Sequence, residues 1–424
     1  MADDTGQQLV FAMPREPHFP KRSISQLAVV MLLIGIFLAE GVASGITWPT
    51  LLQRLQALTP RTSSTMGQVV RQAYFVSSGL LSSTPESNQG ITDQLQIRLE
   101  NIPAPQSGKS YYAWLLNDRK LDWKPILLGP LTVINGIIDF AFLGDPVHSN
   151  LLATDSRFLI TEESAASVPH TPSLNPSTWR YYAEFSQTPN PADTVNHYSL
   201  YDHIRHLLAD DPKVQAAGLT GGLDIWLYRN TQKILEWAGS ARGSWKYNDA
   251  GSSAFIRRQL ILIMDYLDGT TYAQQDLPGQ SVLADPTIAK IGLLTFDAQT
   301  QDPPGYVYHI GEHLNEVSQL PQASTEQRAL ANRISQELDR VNEWFQIMHI
   351  EVLQLYHMND AQLFGNDGRT LLDSVATLAN TAFVGQVDPN TDQVTDGVVQ
   401  IHYNIQRLAT FDIRACSTSN PCTL

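Results

Sequence analysis

The sequence predicts a multi-domain fold class: a single N-terminal transmembrane helix, an immunoglobulin-like β-sandwich and a C-terminal α-helical bundle. Three observations support it: an apolar stretch at residues 27–48, period-two alternation from about residue 73, and helical periodicity from about residue 198. The domain boundaries that follow are a cytoplasmic tail at 1–22, a transmembrane anchor helix at 23–58, a β-sandwich domain at 67–190, a helical bundle domain at 195–415 and a disulfide-looped tail at 416–424.

The composition is that of a globular protein with an acidic surface. The chain has 424 residues, which suggests two or three domains, and its 43 % hydrophobic content is enough to build cores. The formal net charge is −14, and no run is rich in lysine or arginine. Because nothing is offered to neutralise phosphates, nucleic acid is excluded as a partner. The predicted partners are the membrane, through the N-terminal helix, and other proteins or a second copy of this chain (self-association).

The anchor is predicted from residues 27–48, which carry one charge, Glu40. A spanning helix needs about 20 mostly apolar residues. The strictly apolar part, 27–39, is shorter, so a signal peptide cleaved near residues 42–44 stays open as an alternative. Basic residues between 15 and 22 favour a cytoplasmic N-terminus. The predicted localisation is therefore the cell membrane, single-pass, with the C-terminal domains on the extracytoplasmic side.

The β-sandwich is predicted from several short strands. In QLQIRLENI, Leu95, Ile97 and Leu99 alternate with polar residues, which is typical of a strand with one wet face. Asn135-Gly136 separates two apolar runs and is a strong signal for a two-residue hairpin. Further short apolar runs, punctuated by glycine, proline and asparagine, continue to about residue 186 without a helical segment. Such spacing indicates a sandwich.

A resemblance supports this interpretation. The run SYYAWLLNDRKLDWKPILLGPLTV, followed by SRFLITEESAASVPHTPS, resembles the extracytoplasmic domain of anti-sigma-K-type membrane proteins. The resemblance covers about residues 73–186. It implies an immunoglobulin-like sandwich beyond the membrane, but no sigma-factor binding, because the zinc-type anti-sigma module of that family is missing. It carries over no catalytic or cofactor-binding residue.

The helical bundle is predicted from six or seven amphipathic segments after residue 198. The longest lies near residues 325–357 and repeats apolar residues at alternating spacings of four and three. These residues are Ile334, Leu338, Val341, Phe345, Met348, Val352 and Leu355. Such a heptad seam is typical of helices that pack in a bundle.

A possible metal site lies in YHIGEHLNEV, where His309, Glu312 and His313 spell H-x-x-E-H. In the inverted zinc peptidases two such histidines bind zinc and the glutamate activates water. Those enzymes also use a glutamate on a later helix, and this sequence has no glutamate after Glu351. A metal-dependent hydrolase is therefore the alternative function, with His309 and His313 as candidate ligands of zinc or another transition metal.

Other histidines offer a metal-binding bundle as a further alternative. His349 and His357 lie eight residues apart on one flank of the long helix, a spacing at which both can face a neighbouring helix. His203 and His206, in DHIRHLL, are three residues apart. For all four residues, packing at the boundary of an amphipathic helix is the competing interpretation.

A calcium site is a further hypothesis, with Asp388, Asn390 and Asp392 as ligands. Alternating oxygen ligands suit a hard cation. Gln393 replaces the glycine that an EF-hand needs at its sixth position, and Val399 replaces the glutamate at its twelfth. A polar turn between two helices is the competing interpretation.

The two cysteines of the chain, Cys416 and Cys422, lie in CSTSNPC near the C-terminus. This spacing excludes a c-type haem and predicts a disulfide between them. With no complete catalytic constellation, the predicted function is that of a membrane-anchored, extracytoplasmic, non-enzymatic protein that acts through protein–protein contacts. A sensor, a scaffold and an accessory or assembly subunit are the roles that such a chain fits.

Overall fold

A computed structural model describes residues 71–80, 84, 87–387, 394–417 and 421–423. The described strands are β1 Arg71–Val76, β2 Gln94–Leu99, β3 Lys109–Asn117, β4 Ile126–Leu131, β5 Ile138–Phe142, β6 Asp155–Ser164, β7 Trp179–Glu184, β8 Gln386–Val387, β9 Val394–Thr395, β10 Thr410–Asp412 and β11 Arg414–Ala415. The described α-helices are α1 Leu200–Leu208, α2 Pro212–Ala216, α3 Leu223–Ser244, α4 Ala250–Asp276, α5 Tyr306–Gln319, α6 Thr325–His357, α7 Asp360–Leu363, α8 Asn366–Val384 and α9 Val398–Leu408.

The strands form two antiparallel sheets that pack face to face, and β8 and β9 form a separate hairpin. Sheet A has the order β10-β1-β2-β5, and sheet B has the order β11-β7-β6-β3-β4. With the first seven strands lettered A to G, the order is A-B-E opposite D-C-F-G. This differs from the constant-type immunoglobulin order, A-B-E-D opposite C-F-G, because the fourth strand pairs with the third. The predicted strand in QLQIRLENI is β2, and its apolar residues lie in the core.

Sheet B is buried on both faces. One face packs against sheet A, and the other carries an apolar cluster that includes Tyr112, Trp114 and Tyr182. The C-terminal tail lies on this second face, because Cys422 is buried in the cluster. The predicted disulfide between Cys416 and Cys422 is present. It closes the tail over aromatic side chains that would otherwise contact water.

The last strands of the chain complete both sheets. After α9, β10 pairs with β1 at the edge of sheet A, and β11 pairs with β7 at the edge of sheet B. Phe411 of β10 is 1 % exposed, and its ring lies between the sheets. The helical segment is therefore connected to the sandwich at both of its ends, by β7 before it and by β10 and β11 after it.

The helices share the core of the sandwich. Phe185, which follows β7, stacks on Tyr201 of α1 with ring centroids 5.4 Å apart. One continuous apolar core extends from the sheets to α6. The seven seam residues predicted in α6 are each at most 2 % exposed, so this part of the helical prediction is confirmed.

The predicted fold class is wrong in two respects. Gln68–Leu424 is one compact unit, so the sandwich and the helices are not separate bodies. The physical reason is that β10 and β11, which follow the helices in sequence, belong to the sheets.

The second correction concerns the membrane. Across the part of the chain that the structure describes, no helix has the length and the apolar character that a membrane span requires. The longest helices, α4 and α6, carry charged residues along their length. This finding contradicts the single-pass fold class and the cell-membrane localisation. The predicted tail at 1–22 and anchor at 23–58 lie outside the described residues.

A largely buried charge cluster, in which Arg205 and Asp118 are partly exposed, joins α1 to sheet B. Arg205 of α1 forms an ion pair with Asp118 at 2.9 Å, and its guanidinium lies 4.0 Å from the centre of the Tyr201 ring. Asp155 of β6 is 2 % exposed and accepts a hydrogen bond from Thr154 through Oδ2. Burial raises the pKa of Asp155 to about 6, and the neighbouring Asp118 adds to the rise.

We expect Asp155→Asn to change how the stability of the protein depends on pH. The pKa of Asp155 is higher in the folded state than in the unfolded state. The protonated carboxyl therefore stabilises the folded protein in full at pH values below the unfolded pKa, and this stabilisation is lost as the pH rises through about 6. Relative to the wild type, the variant should therefore gain about 2 kcal/mol of unfolding free energy between about pH 4 and pH 7. Urea unfolding with a chelator present measures this. The exposed Asp139→Asn is the control, and a difference that does not depend on pH would contradict the assignment.

Candidate metal centre

Histidines from α1 and α5 meet beside the start of α2. Ser199 and Asp202 form a capping box that starts α1, which places His203 and His206 one helical turn apart on the buried side. In α5, Ile310, Leu314 and other apolar residues face the core. His309 and His313 flank this stripe on the side of α1, and their rings stack with centroids 5.0 Å apart.

Asp211 presents one carboxylate oxygen to the histidines. It is the N-cap of α2, with Pro212 as the first helical residue. Its Oδ1 accepts hydrogen bonds from the backbone N–H groups of Lys213 and Val214 at 2.9 and 3.0 Å. Its Oδ2 lies 3.8 Å from Nε2 of His309 and 3.9 Å from Nε2 of His313. The cap thus fixes the carboxylate and leaves Oδ2 directed toward the rings.

The rings are buried, and several of their nitrogens lack hydrogen-bond partners. Nδ1 of His203 and Nδ1 of His313 lie 2.9 Å apart, so one donates and the other accepts. Within the described part of the chain, Nε2 of His203, Nδ1 of His206 and Nε2 of His313 have no hydrogen-bond partner. Tyr198 covers the cluster, with its ring 4.6 Å from that of His206 in an edge-on contact. Buried polar atoms are rarely left unsatisfied, so this cluster requires an explanation.

Burial keeps the histidines neutral. It lowers the pKa of His206 and of His309 to about 4, lowers that of His203, and lowers that of His313 well below its ordinary value. The neighbouring imidazoles lower the pKa of His313 further. Burial also raises the pKa of Asp211 to about 6. The hydrogen bonds from the backbone N–H groups of Lys213 and Val214 lower this pKa, but the effect of burial is larger. Neutral imidazole is the form that binds a metal ion.

His206, Asp211 and His313 form the ligand group that this cluster offers to an ion. Each contributes one ligand atom, and the three atoms lie within 4.8 Å of one another. Two imidazoles and one carboxylate are a donor set used for Zn²⁺ and for other first-row transition metals. If Nε2 of His313 binds the ion, its Nδ1–H donates to Nδ1 of His203. Metal-ligating histidines commonly make such a bond, which fixes the tautomer and the orientation of the ring.

The glutamate of the H-x-x-E-H pattern does not face the ligand group. Glu312 is exposed and accepts a hydrogen bond from the hydroxyl of Tyr308, which is itself 39 % exposed. A general base must lie within hydrogen-bond reach of the water that it activates. The geometry therefore gives no support to the hydrolase alternative.

The other predicted ligands are distributed differently. His309 lies next to Asp211 but outside the group of three, and His349 lies beside Asp268 and Asp276 between α4 and α6. His357 is exposed at the end of α6, so it does not share a site with His349. The calcium hypothesis at Asp388, Asn390 and Asp392 falls outside the described residues.

Sequence reasoning missed His206 and Asp211 as partners of His313. The available signal was H-x-x-H at His203 and His206, which places both rings on one helix face, followed shortly by an aspartate in front of a proline. What the sequence does not show is that this segment meets α5, because about a hundred residues separate the two.

Comparison with known protein families, with curated proteins and with solved structures gives no match to this chain. The resemblance of residues 73–186 to the extracytoplasmic domain of anti-sigma-K-type proteins therefore stays a prediction.

Proposed function

We propose that this protein binds a transition-metal ion, with Zn²⁺ as the reference ion, through His206, Asp211 and His313. The observation that carries the proposal is Nε2 of His313, a buried nitrogen without a hydrogen-bond partner among the described residues, which lies 3.9 Å from Oδ2 of Asp211 and close to the ring of His206. A cation bound to Nε2 of His313 gives this atom a partner and stabilises the ionised form of Asp211. Three protein ligands leave a fourth position for water or for His309.

The ion would join three segments of the chain. His206 lies on α1, Asp211 starts α2, and His313 lies on α5. Because α1 also packs on the sandwich through Tyr201, bound metal would strengthen the attachment of α5 to the β-sheets. Binding to the folded state alone raises stability by mass action. The role that fits is structural or metal-sensing.

The wider role expected from the sequence is that of a non-enzymatic sensor, scaffold or assembly subunit that works through protein contacts. It stays a prediction, and so does the expectation that the partners are other proteins or a second copy of this chain. A metal-responsive contact between helices and sheets is compatible with such a role.

Metal analysis of the purified full-length protein tests the proposal. After treatment with a chelator and titration with Zn²⁺, we expect His206→Ala and His313→Ala each to lose one bound equivalent relative to the wild type. Their affinity should fall by more than about 100-fold, because loss of a partner outside the ligand set already costs about 10- to 100-fold. His203→Ala should keep the ion with an affinity lowered within that smaller range. Asp211→Asn should also lose the ion, although asparagine preserves the helix cap.

His357→Ala is the matched control, because it removes an exposed histidine from the same helical region. It should bind Zn²⁺ as the wild type does. Circular dichroism of each metal-free variant shows whether the fold is retained. Equal Zn²⁺ binding by the wild type and by folded His313→Ala would refute the proposal.

A further inference from the structure

A second group of ligand-type side chains lies between α4 and α6. Asp268 and Asp276 of α4 and His349 of α6 each offer one atom, and the three atoms lie within 4.8 Å of one another. Nε2 of His349 lies 3.0 Å from Oδ2 of Asp276 and 3.5 Å from Oδ1 of Asp268. None of these residues belongs to the first cluster.

The backbone of α4 is interrupted at this group. Gly269 has φ +76° and ψ 158°, so the helix is kinked directly after Asp268. Leu293 and Leu294 donate their backbone N–H groups to carbonyl oxygens of Tyr266 and Leu267, the residues that precede the kink. These bonds satisfy backbone groups that the kink leaves without helical partners, and they fix the position of Asp268.

Asp268 is the unusual member of the group. Its side chain is fully buried, and within the described residues neither of its carboxylate oxygens has a hydrogen-bond partner. The only nearby nitrogen of the group, Nε2 of His349, already binds Asp276. A buried carboxylate without donors is costly, and the usual compensation is a paired charge or a metal ion.

The distances suit a shared cation. Two ligand atoms that each lie about 2.0–2.2 Å from a metal ion, at tetrahedral or octahedral angles, are about 2.8–3.6 Å apart. The separations from Nε2 of His349, 3.0 and 3.5 Å, both fall in this interval. The side chain of Asp276 is 36 % exposed, which gives an ion and its waters access from solvent. Phe296 covers the other side of His349, with ring centroids 5.4 Å apart.

We propose that Asp268, Asp276 and His349 form a second site, for a divalent cation such as Mn²⁺. Two carboxylates and one imidazole form a harder donor set than the first cluster, and oxygen-rich sets suit Mn²⁺. Water molecules complete the coordination on the open side. The competing arrangement is an ion pair between a protonated His349 and the two aspartates, without any metal.

Titration of the chelator-treated full-length protein with Mn²⁺ tests the site, with the spectrum of free Mn²⁺ followed by electron paramagnetic resonance. The wild type should remove Mn²⁺ from solution, and Asp276→Asn should lower the affinity by at least about tenfold. Asp276 is partly exposed, so Asp276→Asn should fold. Asp268→Asn changes a buried residue, and the test with Asp276→Asn remains valid even if that variant does not fold. Asp339→Asn, an exposed aspartate of α6, is the matched control and should bind as the wild type does.

Two outcomes overturn the proposal. If the wild type leaves the free Mn²⁺ signal unchanged, the group is an ion pair only. If Asp276→Asn binds Mn²⁺ as tightly as the wild type, the ion lies elsewhere. The two proposed sites fail separately, because they share no residue: His313→Ala should lose the ion of the first cluster, and Asp276→Asn should weaken Mn²⁺ binding at this one.

Discussion

Replacement of Phe411 by alanine is expected to lower the free energy of unfolding by about 3–5 kcal/mol, the range for a large aromatic residue lost from a core. Phe411 is 1 % exposed. Its ring lies 4.3 Å from that of Phe185, 5.6 Å from that of Phe75 and 6.0 Å from that of Phe158, measured between centroids. The ring therefore contacts residues that belong to or follow strands of both sheets.

The loss of stability in Phe411→Ala should extend from the sheets to the helices, because of where Phe411 lies in the chain. β10 joins α9 to the edge of sheet A, and β11 continues to sheet B. Because one core connects these sheets to the helices, we expect both parts to unfold in one transition that shifts to lower urea concentration. Hydrogen exchange with mass spectrometry should show protection lost together in β6 and in α6.

Phe255→Ala is the matched control for this prediction. Phe255 lies on α4 and is 42 % exposed, so less apolar area leaves the core when its ring is removed. We expect a loss less than half that of Phe411→Ala. If Phe411→Ala left the helices with their wild-type stability while the strands melted, the description of one cooperative unit would be refuted.

Replacement of Gly305, which precedes α5, by alanine is expected to cost about 3 kcal/mol or more, at the upper end of the range for atoms forced into a packed site, whereas the same change at Gly311, inside α5, should stabilise the protein. Gly305 is the N-cap of α5. An added Cβ would lie 2.9 Å from the carbonyl oxygen of Leu293 and closer still to the carbonyl group of Leu294. Backbone atoms cannot give way as a flexible side chain can, so the start of the helix must move.

The movement would also break the bonds that cap α5. The N–H groups of Tyr306 and Val307 donate to the carbonyl oxygens of Gly292 and Leu293 at 2.9 and 3.2 Å, and that of Gly305 donates to Thr295 Oγ1 at 2.8 Å. Each such bond contributes about 0.5–1.5 kcal/mol. Since His313 lies on this helix, a shift of its start should also weaken Zn²⁺ binding.

Gly311→Ala is the control that distinguishes the steric clash at Gly305 from a general effect of replacing glycine by alanine. Its Cβ would meet only Cδ2 of Leu338, at 3.9 Å, which is an ordinary contact. Glycine inside a helix is about 0.5–1 kcal/mol less stable than alanine, so this variant should gain about that amount. Thermal and urea unfolding of both variants measure the difference. Equal effects of the two substitutions would contradict the close approach at Gly305.

The sequence alone determined the elements whose pattern is local. The seam of α6 repeats with the period of a helix over three heptads, and each of its residues is buried. β2 was readable from the alternation of Leu95, Ile97 and Leu99. The disulfide followed from the short separation of Cys416 and Cys422, because so few residues between two cysteines favour closure of a loop.

The tertiary structure decided what depends on distant segments. β10 and β11 have three and two residues, too few for a periodic signal, yet they join the helices to both sheets. The predicted boundary near residues 190–195 follows a real change of periodicity, but packing across that boundary makes one unit of the two parts. A change of period reports local structure, and it carries no information on which elements later share a core.

The candidate site shows the same division. The sequence placed His309 and His313 on one flank of a helix, and that much follows from 3.6 residues per turn. It gave Glu312 a role that its exposure does not support, it considered His206 only together with His203, and it did not single out Asp211. His206 and Asp211 meet His313 only because α1 and α2 fold back onto α5, and long-range packing of this kind is not encoded in any local spacing.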